Sequence, residues 1–194
     1  LSRLSEQKGY HLLLKILPAL MRLDIQIIIF GGGDKWFVTE FKKAKKKYPE
    51  KFAANLVFTR KHSTRVLAGT DFIMMPSRFE PSGLPQLEGM RYGAIPISHR
   101  VGGLADTVTD YDARTQKGNG FVFTKYDPQD LLIAMSRGFE EHRNKGTWLQ
   151  MVRNVMRQSY SWELPAKRYV KLFKIAVENK RRTESSGNGN SNGK

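Results

Sequence analysis

Short apolar runs recur along the chain: IQIIIF (25–30), NLVF (55–58), DFIMMP (71–76), AIPIS (94–98) and GFVF (120–123). Between them lie stretches whose apolar residues return at helical spacing. A short continuous apolar run suits a strand buried on both faces, and strand–helix repetition implies a parallel sheet with crossover helices. Residues 8–22 place Leu12, Leu13, Ile16, Leu20 and Met21 on one helix face, bent or ended near Pro18. Further helices are expected over Trp36–Tyr48, 62–69, from Gly83–Pro85 to a stop at Gly93, and as a short one within 102–108. Asp127-Pro128 should cap a helix through 142, followed by helices over 147–158 and 163–178.

The expected fold class is α/β: a Rossmann-like parallel sheet with helices on both faces. One domain should span 1–178, and the Gly/Ser/Asn-rich stretch 179–194 predicts a disordered tail. In such sheets ligands sit beyond the carboxyl ends of the strands. Loops 31–34, 77–85 and 99–103 all follow strands, so they should gather on one edge.

Composition removes several classes of chemistry. The chain has no Cys, which excludes disulfides, thiolate metal sites and a thiol nucleophile. No apolar run approaches the roughly 18–20 residues of a membrane span. The opening, LSRLSEQKG, has neither the charged nor the apolar region of a signal peptide. It lacks an initiator Met and reads as the interior of a longer chain. Lys and Arg outnumber Asp and Glu by 33 to 18, a net +15 that attracts polyanions. The basic residues are spread out, however, and the one dense cluster, Lys42–Lys47, suits a solvated helix face. Neither a membrane nor nucleic acid is an expected partner.

The loop after the third apolar run, PSRFEPSGLP (76–85), carries the strongest local signal. Glu80 sits there at a strand's carboxyl end, where a carboxylate can hold hydroxyls or stabilise developing positive charge. Gly83-Leu84-Pro85 opens a helix whose first amides suit a phosphate, and the same dipole favours Glu88 in the first turn. Arg3 and Lys8 flank another strand–loop–helix junction, where a fork and a point charge could clamp a diphosphate. Gly31-Gly32-Gly33-Asp34 matches neither G-x-x-x-x-G-K-[ST] nor G-x-G-x-x-G, and Gly102-Gly103 is only a turn signal. His11, His62, His99 and His142 lack metal-ligand spacing, and no G-x-S-x-G is present. No metal or cofactor is expected.

Taken together, "SRL-x-x-QKG" (2–9), "PSRFEPSGL" (76–84), "MRYGAIPI" (90–97), "GGLADTV" (102–108) and "YSWELPAKRYVKLF" (160–173) resemble the C-terminal domain of starch/glycogen synthases, glycosyltransferase family 5. The resemblance covers nearly all of the chain to residue 176. It implies one half of a GT-B enzyme, whose two Rossmann-like domains enclose a cleft. It also implies transfer of glucose from ADP-glucose or UDP-glucose to the non-reducing end of an α-1,4-glucan, with retention and without a metal. Arg3 and Lys8 then match phosphate-contacting cations, and Glu80 matches the glutamate that holds glucose hydroxyls. Gly83 and Leu84 match backbone donors at the phosphate, and Phe58 falls where an aromatic ring stacks on adenine. Ser82 replaces the usual Cys and Pro85 the usual Thr.

"GLPQLEGM" is closer to the related family 4 retaining transferases, whose two glutamates are separated as Glu80 and Glu88 are. That makes Glu88 a candidate for the ribose hydroxyls. The alternatives are thus a family 4-type transferase with another acceptor, or a non-catalytic basic binding module. The family's N-terminal, glucan-facing domain is absent from this sequence. The chain alone is therefore expected to bind ADP or ADP-glucose weakly without measurable turnover. Bacterial cytoplasm is the expected location, with plastid stroma as the alternative.

Overall fold

In the computed structural model, which describes residues 1–57 and 60–187, the apolar runs form parallel strands. These are β1 (Ile27–Phe30), β2 (Phe52–Asn55), β3 (Phe72–Met75), β4 (Ile95–His99) and β5 (Phe121–Phe123). The helices are α1 (Tyr10–Leu20), α2 (Lys35–Lys47), α3 (Arg60–Ala68), α4 (Pro85–Arg91), α5 (Gly102–Thr107), α6 (Pro128–Arg143), α7 (Lys145–Arg157) and α8 (Glu163–Gly187). The strands form two ladders, β1–β2 and β3–β4–β5, and every pairing in them is parallel.

β3 shows why its run is apolar throughout. Ile73 and Met75 join a core with Leu67, Ala94 and Leu104, whereas Phe72 and Met74 pack on the main core. Side chains alternate across a strand, so a strand covered on both faces must be apolar at every position. α6 packs on β4 and β5, and α4 on β3 and β4.

β2 begins three residues earlier than the expected NLVF. Ile27 pairs with Phe52 and Phe30 with Asn55. Phe52 is buried and stacks on Phe41 of α2 at 6.0 Å, while Val57 is 68% exposed. One aromatic anchor outweighs the higher apolar content of the following residues. α1 continues through Pro18 to Leu20, because a proline so near the end removes only one of the last backbone bonds.

The described residues fall into two compact units that divide after Gln158. Residues 179–187, expected as disordered tail, belong to α8. Glu178, Lys180, Arg181 and Arg182 are good helix formers that extend the preceding turns. Trp162, just before α8, and Tyr169 and Phe173 within it succeed one another with ring centroids 6.3 and 6.1 Å apart.

The cap of α6 is as expected. Asp127 Oδ1 accepts from the Gln129 amide at 2.7 Å, with Pro128 opening the helix. Asp127→Ala should cost about 1 kcal/mol, read as a loss of roughly 2–4 °C in Tm. An unchanged thermal midpoint would show that the cap contributes nothing.

Candidate active site at the strand ends

Residues 2–9 run across the carboxyl ends of the strands without themselves forming one. The Ser2 amide donates to Phe30 O at 3.2 Å and the Leu4 amide to Gly32 O at 2.9 Å. Leu4 also bridges to Gly33, and the Asp34 amide returns to Leu4 O at 2.7 Å. This fixes the segment to the end of β1. A 3-10 turn, Glu6–Lys8, then carries it to the end of β3. There the Arg78 amide donates to Gln7 O (2.8 Å) and Gln7 Nε2 donates to Phe79 O (3.0 Å).

The turn closes on Gly9, whose φ of 72° lies in the left-handed region. A Cβ on Gly9 would lie 1.8 Å from Pro76 O, so the approach of the two segments requires glycine twice over. Arg3, Lys8 and Glu80 are thereby brought to one edge of the fold. Arg3 is exposed, and no ion pair of Arg3 is found among the described residues.

Glu80 is 7% exposed. Its Oε2 accepts from Lys8 Nζ at 2.5 Å and from Ser77 Oγ at 3.2 Å. Its Oε1 has no hydrogen-bond partner among the described residues. One oxygen is held twice and the other is left open. The backbone of Glu80 is held as well, its carbonyl accepting from the Gly103 amide at 2.9 Å. Gly102, at φ 45°, allows this, since its Cβ would lie 2.2 Å from the same carbonyl. The Gly102-Gly103 pair, which in sequence is only a turn signal, thus has a definite duty.

Loop 82–86 is organised by Gln86. This fully buried side chain donates from Nε2 to Gly83 O (2.7 Å), Ser82 O (3.3 Å) and Thr107 Oγ1 (3.3 Å). The amides of Gly83 and Leu84 donate to no acceptor among the described residues. Ser82 and Leu84 are exposed beside them, and Glu88 is exposed in the first turn of α4. Phe58 lies outside the described residues.

Ser77, His99 and Gln86 complete the site. Ser77 and Gln86 lie within the runs PSRFEPSGL and GLPQLEGM without being singled out there, and His99 lies outside every motif. His11 and Tyr126 meet edge to face at 5.5 Å nearby. Burial holds the His11 pKa below, and the Tyr126 pKa above, their ordinary values, so both are neutral near pH 7.

Residues 1–145 match the family described as "Glycosyl transferases group 1". A glycogen synthase of Desulforudis audaxviator is 45% identical over 179 residues, covering 92% of this chain and 36% of that protein. One from Thermosipho africanus is 42% identical, covering 94% of this chain and 38% of its own length. The chain therefore spans little more than a third of these relatives. Among solved structures, the catalytic domain of starch synthase IV from Arabidopsis thaliana, bound to ADP and acarbose, superposes with a TM-score of 0.83 at 32% identity. That match covers 91% of this chain and 37% of the other. The expected fold, one Rossmann-like half of a GT-B glycosyltransferase, is the fold observed, and the chain belongs to the glycosyl transferases group 1 family.

Proposed function

We propose that this chain is the donor-binding part of a retaining glucosyltransferase of the starch/glycogen synthase type, moving glucose from ADP-glucose or UDP-glucose to the non-reducing end of an α-1,4-glucan. The observation that carries the reading is Glu80, a nearly buried carboxylate with Oε2 anchored by Lys8 and Ser77 and Oε1 open to a ligand. An open carboxylate oxygen on a fixed support accepts a sugar hydroxyl without having to reorganise.

Lys8 gives one of its three ammonium hydrogens to Glu80 and keeps two for diphosphate oxygens. Arg3 offers a planar fork on the same segment. The undirected amides of Gly83 and Leu84 add neutral donors beside the small side chain of Ser82. As the diphosphate leaves, these groups offset its growing charge while Glu80 steadies the electron-poor hexose. Glu88 would meet the ribose hydroxyls, and Phe58 would stack on the base. The ADP in the related starch synthase structure supports an adenine donor.

A second domain would complete the cleft, exclude water and orient the glucan. The chain alone then binds the donor weakly and does not turn it over. The setting proposed is the bacterial cytoplasm; no described helix is long and apolar enough to cross a membrane.

Calorimetric titration tests the assignment. ADP-glucose should bind more tightly than ADP. Arg3→Ala or Lys8→Ala should weaken ADP itself, and Glu80→Ala should erase the advantage of the sugar, each by about tenfold. A Glu80→Ala variant that still prefers ADP-glucose would remove Glu80 from the hexose site.

A further inference from the structure

A histidine outside every motif stands behind the Lys8–Glu80 pair. His99 ends β4 and is 8% exposed. Its ring stacks on Phe123 at 5.1 Å and leans on Tyr126 at 5.3 Å, so its orientation is fixed. Nδ1 lies 2.8 Å from Ser77 O, and Nε2 lies 3.3 Å from Thr124 O. Both partners are carbonyls, which only accept, and the shorter contact assigns an Nδ1–H donating to Ser77 O.

His99 therefore fastens Ser77, which follows β3, to the ends of β4 and β5. Ser77 is 1% exposed, and its hydroxyl is the second donor to Glu80 Oε2. Without the clip, the Ser77 carbonyl loses its buried donor and the residue is free to rotate. We propose that His99 is a positioning residue: through Ser77 it keeps Glu80 Oε2 turned toward Lys8 and so leaves Oε1 directed at the hexose. The last clause rests on the reading of Glu80 given above; the effect on Glu80 does not.

The test uses the 194-residue chain and has two independent arms. In the ligand-free arm, the Glu80 carboxyl carbon is followed by NMR, its resonance assigned with Glu80→Gln. His99→Phe keeps the flat ring and removes both nitrogens, and should shift that resonance. His99→Asn, whose amide nitrogen can stand in for Nδ1, should restore it, whereas His99→Gln, which mimics Nε2, should not. Ser77→Ala should shift the resonance too, and adding His99→Phe to it should change nothing further. A resonance unmoved in His99→Phe, or restored by Gln rather than Asn, overturns the proposal. If His99→Phe does not fold, Ser77→Ala decides: an unmoved Glu80 resonance there overturns it as well.

In the second arm, His99→Phe should reduce the preference for ADP-glucose over ADP by about tenfold and leave ADP affinity unchanged. Equal loss for both ligands makes His99 merely structural and overturns the proposal. A wild-type chain with no preference for ADP-glucose overturns the hexose assignment, while the resonance pattern still decides the link from His99 to Glu80.

Discussion

Replacing Lys8 by methionine should lower stability by about 2–3 kcal/mol, measured by urea unfolding at 25 °C. The two side chains of the pair are only 18% and 9% exposed. Methionine fills much of the lysine's volume, so little of the loss comes from packing. What remains is a buried carboxylate whose partners are reduced to the Ser77 hydroxyl. Stranding one member of a buried pair costs more than the pair contributes in place, because the survivor keeps its desolvation penalty. The double variant Lys8→Met/Glu80→Gln should therefore be more stable than Lys8→Met alone. Salt should change these differences little, since the pair is shielded from solvent. A Lys8→Met chain as stable as the wild type would show that solvent reaches the pair freely.

Gly9→Ala is expected to be at least as damaging, by about 3 kcal/mol or more, with Tm falling by roughly 6–12 °C. The left-handed φ of 72° alone costs an L-residue about 1–2 kcal/mol. The larger part is a Cβ placed 1.8 Å from Pro76 O, a clash with backbone that no rotamer relieves. The segments forced apart carry Lys8 and Glu80, so donor binding should fall together with stability. Gly69→Ala provides the control. A Cβ there meets nothing nearer than Arg65 O at 3.4 Å, and stability should stay within about 0.5 kcal/mol of the wild type. Equal effects at the two positions would mean that close approach at Gly9 is not what demands glycine.

Much of the fold is legible in the apolar runs. β3 and β5 stand where DFIMMP and GFVF place them, because a strand buried on both faces has no alternative composition. β2 was less legible. Two of its four residues are alanines, so its position is set by parallel register with β1 and by the stacking of Phe52 on Phe41, both long-range effects.

The site divides along the same line. Lys8 and Glu80 could be singled out from sequence, and the structure joins them. His99 could not, since its partners, the Ser77 and Thr124 carbonyls, lie far away in the chain and leave no local spacing. Ser77 and Gln86 stand inside the runs PSRFEPSGL and GLPQLEGM, but their residue types alone do not say that they support Glu80 and the loop. The extent of α8 was hidden for the opposite reason. Composition speaks of average tendency, whereas a helix already under way needs only good formers to continue.

The segment before α1 also bears on the order in which the molecule assembles. Lys8 and Glu80 are 72 positions apart, and the bond from Gln7 to Phe79 O spans the same interval. Closing so long a loop carries an entropic penalty that a few polar contacts do not recover by themselves. Both ladders are therefore expected to stand before the grip closes over them. A nascent or half-folded chain should then lack the charged clasp, and competence to hold a ligand should arrive late in folding.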